Sequence, residues 1–490
     1  MIRIDVLPDD VLLDIFDFSV DKITPYGDKT KVEAWQSLVH VCRQWRNLVF
    51  GSPRRLNLRL VCGPETPARD TLDVWPAFPL LISGDMSSSS GADDIIVALG
   101  QTNRVCLVNL WRFEDRQLDK VLAAMQVPFP QLTWLNLISD GETPPVASVV
   151  PDSFLGGSAP HLRIFHLTGI PFPGLPKLLL SAAHLAQLEL FNIPHSGYIS
   201  PEAMATLLSV LSSLESLILE FQSPQSRPDW ERRLPPPSKR SVIPALKRLH
   251  FKGVIEYLED LVTLIDAPQL FVSSITFFNQ IDFNGPRLAQ FISRTPIFVN
   301  CNVKVEFDDT TAGIQLLSDW KAFTINISCR EPDRQLSSVV QICNTCLPPL
   351  SMIEALEIRD RDSQLVWKND AIENTLWLEL LRLFPAVKSL FLPKDSAPGI
   401  AAALQEIVGT EVLPSLQKIN VKGPQPSGPF QENIGQFVKT REHSGHPIAL
   451  SIWNMDRVAW VGDSVSDADS DADSDADSDA DSDADSDADS

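Results

Sequence analysis

An apolar signature of the form L-x-x-L-x-L, usually opened by proline, histidine or a small polar residue, recurs along this chain, and few folds tolerate such a repeat. It reads PQLTWLNL at 130–137, PHLRIFHL at 160–167, HLAQLEL at 184–190 and SLESLILE at 213–220. Further copies are PALKRLHF at 244–251, MIEALEI at 352–358, AVKSLFL at 386–392 and SLQKINV at 415–421, with a degenerate one, NRVCLVNL, at 103–110. One apolar position taken from the same place in each copy falls at Leu135, Phe165, Leu188, Leu217 and Leu249, giving steps of 30, 23, 29 and 32 residues. Leu356, Leu390 and Ile419 continue with steps of 34 and 29.

Between these strand-like segments lie helix-like ones, PEAMATLLSVLSSL at 201–214 and GIAAALQEIVGTEVL at 399–413 among them. Each repeat is therefore expected to be a strand plus a helix. An ordinary α/β domain also shows L-x-L strands beside helices, but nine copies in one register favour stacking. The expected fold class is α/β: an irregular leucine-rich-repeat-like strand/helix solenoid over 53–461. The register blurs between 268 and 345, where PQLFVSSITFF reads as carrying extra residues and KVEF and FTINIS read as plain strands.

The remaining composition narrows the function classes. The chain has 38 Pro against 22 Gly, which suits many short elements. Of its acidic residues 13 lie after residue 462, in an Asp-Ala-Asp-Ser repeat, and without them the formal charge of −22 falls to −9. That tail, 462–490, has nothing large and apolar after Val465 to bury and is expected to be disordered. No Lys/Arg tract interleaves with aromatics, and the short cluster Arg232, Arg233, Lys239 and Arg240 surrounds three prolines, so no nucleic-acid partner is expected. No apolar run approaches the ~20 residues of a membrane helix, and the acidic N-terminus is not a signal peptide. Seven scattered Cys suggest reduced thiols and a cytoplasmic or nuclear protein.

The first fifty residues differ from the rest. Residues 6–18 read as a helix, with Pro8 suited to its first turn, Asp9 and Asp10 at its positive dipole end, and Val11, Leu12, Ile15 and Phe16 as its apolar stripe. A second helical pattern spaces Trp35, Leu38, Val41, Cys42, Trp45, Leu48 and Val49 by three or four, and Gly51, Ser52 and Pro53 stop it. A unit this small buries too little surface to be stable alone, so it is expected to dock onto something.

IDVLPDDVLLDIF followed by WQSLVHVCRQWRNLV resembles the F-box. The matching positions are Leu7, Pro8, Asp10, Val11, Leu12, Ile15, Phe16, Leu38, Val41, Cys42, Arg43, Trp45 and Arg46; the connector from Asp21 to Glu33 is longer than the family's. Together with the repeats and the late segment FVKTREHSGHPIALSIW at 437–453, the arrangement is similar to F-box proteins of mushroom-forming fungi. The resemblance implies an all-α F-box over 1–52 that binds a Skp-type adaptor, and through it a cullin, by Leu7, Pro8, Asp10, Val11, Leu12, Ile15, Val41, Cys42, Trp45 and Arg46. The repeats would then hold a protein substrate for ubiquitination. A non-catalytic interaction scaffold that promotes no ubiquitination shares every one of these features.

Catalytic, cofactor and metal sites are not expected. Neither a G-x-S-x-G elbow nor a phosphate-binding G-x-x-x-x-G-K-[ST] loop occurs. Cys343 and Cys346 form one C-x-x-C without the second ligand pair zinc requires, and His443 and His446 lie in a turn with no Cys beside them.

Overall fold

The computed structural model describes residues 7–19, 34–64, 68–87, 91–113, 115–139, 149–225, 240–280, 282–295, 301–318, 321–361, 371–393, 397–405, 412–422 and 429–453. The acidic repeat of 462–490 lies outside the described residues. The chain is mixed α/β, with fourteen α-helices and one sheet of 16 strands among the described residues.

Strands β1 (Leu60–Cys62), β2 (Leu80–Asp85), β3 (Val105–Trp111), β4 (Trp134–Ile138), β5 (Ile164–Thr168), β6 (Gln187–Ile193) and β7 (Ser216–Phe221) lie side by side in chain order. All are parallel. Strands β8 (Ser241–Val242) and β10 (Ile265–Asp266) pair apart from the rest, while β9 (Arg248–Gly253) and β11 (Val272–Phe277) continue the large sheet. Each of the nine repeat segments contains the start of one of its strands.

The spacing read from the sequence is a physical register. Leu135, Phe165, Leu188, Leu217 and Leu249 are direct partners on neighbouring strands, and so are Leu356, Leu390 and Ile419. All eight are buried. The first leucine of each copy closes the turn that feeds the strand. There the N–H groups of Leu132, Leu162, Leu185, Leu214 and Leu246 each donate to the carbonyl three residues earlier. Their side chains are buried as well. Most successive helices contact one another on that same apolar side.

The stretch that blurred in the sequence resolves in two ways. PQLFVSSITFF carries no extra residue: Ser273 occupies the ladder position, paired with Leu249 on one side and Phe323 on the other. A serine where every other copy has a large apolar residue hid the register. The second cause is an insertion. Strand β12 (Asn302–Phe307) turns back into β13 (Thr311–Ser318), which turns back into β14 (Lys321–Ser328). Strand β13 is antiparallel to both neighbours, and the sheet order here is β11-β14-β13-β12 before β15 (Ala355–Asp360). The sequence pattern marks the flanking strands and not the middle one. Strands β16 (Ser389–Leu392), β17 (Lys418–Lys422) and β18 (Ala449–Trp453) restore the parallel order.

At the other end, the helical N-terminus has three described helices: α1 (Asp9–Ser19), α2 (Ala34–Val39) and α3 (Arg43–Gly51). The single helical pattern of 35–49 is broken at His40–Val41. Extended Cys42 caps α3, its Sγ accepting from the Trp45 N–H at 3.4 Å, and Arg46 Nε donates to the last carbonyl of α2, Val39, at 2.9 Å. These helices pack on their own chain, against residues 59–78 at the start of the repeats. Trp35 is buried with its ring 5.1 Å from Trp75 and 5.6 Å from Phe78, and its indole N–H donates to the Arg59 carbonyl.

Ser273 Oγ is buried and has no hydrogen-bond partner among the described residues. A buried, unsatisfied hydroxyl costs roughly 1–3 kcal/mol. Ser273→Ala is therefore expected to raise the unfolding free energy measured in urea by about 1 kcal/mol, whereas Leu249→Ala one strand away removes core volume and should cost ~2–5 kcal/mol. A loss of stability in Ser273→Ala would contradict the ladder position assigned to this serine.

Candidate functional site

Two surfaces gather exposed apolar or charged groups. The first is on α1. Its apolar residues divide into two stripes instead of the single one the sequence suggested: Leu12, Leu13 and Phe16 are buried, while Val11, Ile15 and Phe18 are 38%, 41% and 92% exposed. Residues 8, 11, 15 and 18 are spaced by three and four, so Pro8, Val11, Ile15 and Phe18 share one helical face. The inner stripe anchors the helix, with the Phe16 ring 4.6 Å from the Trp45 ring.

A further exposed apolar group of the N-terminal helices is Val41, 58% exposed in the turn between α2 and α3. Gln44 Nε2 donates to Asp9 Oδ1 at 3.4 Å, which holds the start of α3, and so the turn before it, against the start of α1.

The ten residues assigned to adaptor binding therefore separate. Pro8, Asp10, Val11, Ile15, Val41, Cys42 and Arg46 are exposed, and Leu7 and Trp45 are half-buried. Leu12 is wholly buried and has no surface to offer a partner in this conformation. Phe18, the most exposed apolar residue of α1, was missed, although its place seven residues after Val11 was a legible signal.

The second surface is the sheet face away from the helices. Strand side chains alternate, so the register that points Leu135, Phe165, Leu188, Leu217 and Leu249 inward points their neighbours outward. Trp134, Ile164, Gln187, Ser216, Arg248 and Val272 form one outward row in register, and His166, Glu189, Ile218, His250 and Ser274 form the next. The two rows line an open groove of about 490 Å³. To one side the first row continues through Leu107, Leu81 and Val61, a small apolar cluster separate from the main core.

The carboxylates of the groove already have side-chain partners. His166 Nδ1 lies 3.1 Å from Glu189 Oε2 and its Nε2 is 2.9 Å from Thr168 Oγ1. His250 Nε2 lies 2.8 Å from Glu220 Oε1, and Lys247 Nζ lies 3.1 Å from Glu215 Oε1 at the rim.

The cysteine and histidine pairs take no part in either surface. Cys343 and Cys346 are buried in the core, and burial pushes both thiols up, Cys346 to about 11. Thiolate, the form that ligates metals or attacks electrophiles, is thus disfavoured there. His443 and His446 are exposed, and the His443 ring is bound to the Lys439 carbonyl of its own helix. Among the described residues no group of three potential metal ligands occurs, and no helix is long and apolar enough to cross a membrane. No protein-family model matches the sequence, and no curated protein matches it.

The two stripes of α1 predict opposite responses to truncation. Phe16→Ala should lower stability by ~3–5 kcal/mol, as deletion of a buried aromatic does. Phe18→Ala should stay within about 0.5 kcal/mol, as at other exposed sites. Chemical denaturation of the two variants side by side measures both, and an equal loss would mean that the outer stripe is already covered.

Proposed function

We propose that this protein is a non-enzymatic substrate receptor of the F-box type, which engages a Skp-type adaptor through its N-terminal helices and a protein substrate through its sheet face. We read its repeats as a leucine-rich-repeat-like solenoid, whose strand-plus-helix units stack in chain order apart from the inserted hairpin. The observation that carries the reading is the outer stripe of α1. A helix that already buries Leu12, Leu13 and Phe16 gains no fold stability from a second apolar face, yet it presents Val11, Ile15 and Phe18 to water.

Burying such a side chain contributes roughly 1.5–3 kcal/mol, so the stripe is a source of binding free energy for a helical partner. Pro8 extends the same face and Val41 is exposed in the turn between α2 and α3, both among the positions that carry the F-box resemblance. The receptor's contribution to ubiquitin transfer would be positional. Holding a substrate lysine near a charged carrier raises its effective concentration without any side-chain chemistry in this chain.

The test is co-purification with a Skp-type adaptor. Ile15→Asp combined with Phe18→Asp should weaken adaptor binding at least a hundredfold, about 3 kcal/mol, and leave the unfolding transition in place. Adaptor capture unchanged in that variant, or absent from the parent protein, removes the F-box reading.

A further inference from the structure

We infer that the groove on the sheet face takes an extended peptide segment carrying an apolar side chain and, about four residues away, a single carboxylate that meets Arg248. This rests on the receptor reading only in supposing that the peptide belongs to a captured substrate; the recognition chemistry is that of the groove itself.

Unpaired charge points to the ligand. Every carboxylate on the strands flanking β9 on the β6–β7 side already faces a base: Glu189 faces His166, Glu215 faces Lys247, and Glu220 faces His250. Lys252 lies directly opposite Glu220 in the sheet as well. Arg248 is exposed, lines the groove, and has no carboxylate partner among the described residues. Its guanidinium is the exposed cation of the groove lining that has no partner among the described residues. It matches one negative charge, and a carboxylate suits its planar fork of donors. A dianionic phosphate would set its second charge against the paired but half-buried Glu189 and Glu220, whose side chains retain 21% and 18% exposure.

The rest of the row sets the spacing. From Val61 through Leu81, Leu107, Trp134 and Ile164 it is apolar, and through Gln187 and Ser216 it becomes polar before reaching Arg248. Ile164 and Arg248 are three strands apart, so their side chains stand roughly 14 Å from each other across the sheet. An extended peptide covers that distance in about four residues. The occupant therefore crosses the strands, with its apolar side chain against Trp134 and Ile164 and its acid at Arg248.

The test uses the full chain and fluorescein-labelled ten-residue peptides with Leu or Phe four residues from a variable position that is Asp, Asn, Lys or phosphoserine. Fluorescence anisotropy should show the Asp peptides binding at least tenfold more tightly than the Asn peptides, with no binding by the Lys peptides. In Arg248→Ala the Asp-over-Asn preference should vanish, and in Arg248→Glu the Lys peptides should gain while the Asp peptides lose. Because Arg248 is exposed, both variants should keep the parent unfolding midpoint. Unchanged Asp binding in Arg248→Ala overturns the inference, as does a preference for Lys in the parent. Tighter binding of phosphoserine than of Asp overturns the single-carboxylate assignment. Failure of every peptide alongside intact adaptor capture sinks this inference alone, whereas loss of adaptor capture with peptide binding preserved sinks only the receptor reading.

Discussion

The in-register ladder of buried side chains is the constraint on which the rest of this molecule depends. A strand with one apolar face and a short helix cannot bury that face alone, and stacking the next unit in register is what removes it from water. Register in a sheet is unforgiving, because a slip of one residue turns every inward side chain outward. Fixing Leu135 against Phe165 and Leu188 therefore also fixes Asn136 against His166 and Glu189 on the other face. The groove is assembled by the core: Trp134 and Arg248 belong to the same outward row because their inward neighbours, Leu135 and Leu249, belong to the same ladder.

The same continuity joins the two proposed sites. The N-terminal helices share the core of the first repeats through Trp35 and Phe50, whose rings lie 5.1–6.4 Å from those of Trp75 and Phe78. Polar links add to it, with Arg55 Nη2 2.5 Å from Asp14 Oδ1 of α1. A partner held on the outer stripe of α1 is thus held at a separation from the groove that the fold itself sets. For a receptor whose contribution is positional, a shared core is a better device than a linker, since slack between the two sites would dilute the effective concentration.

What could be read beforehand follows the same logic. Inward positions are legible in a sequence because burial restricts them to a few residue types, and the nine repeat segments were found on that basis. Ser273 was illegible because a single small polar residue breaks a pattern recognised by its leucines, and β13 was illegible because an antiparallel insertion has no counterpart in the repeat. The α1 stripe was half legible: Val11, Leu12, Ile15 and Phe16 were seen as one face, and only the packing of Leu12 and Phe16 against the body separates them from Val11 and Ile15. The groove was not legible at all. Its residues occupy the x positions of L-x-x-L-x-L, where any residue type is compatible with folding, and only the register shows which of them meet.

The hairpin insertion also separates two electrostatic regimes on the sheet face. Beyond it, on β12 and β15, Lys304 is opposite Glu357 and Glu306 is opposite Arg359. Lys304 is ion-paired with Glu306, which also receives Arg361 at 3.0 Å and Gln315 at 2.8 Å, and Arg359 lies 2.5 Å from Glu357. The Lys304 and Glu306 side chains are only 7% and 10% exposed. Removing one member of such a network strands a buried charge, at a cost of ~3–5 kcal/mol, so a charged partner that competed for these groups would begin at a large deficit. The network of β12 and β15 is electrostatically closed. On the β4–β11 side Glu189, Glu215 and Glu220 already have partners and exposed Arg248 has none among the described residues, so a visiting carboxylate displaces water there and breaks no existing pair. The difference lies in which outward positions the two stretches of sheet fill, and it makes the strands next to the hairpin a poorer seat for a charged ligand than the groove ahead of it.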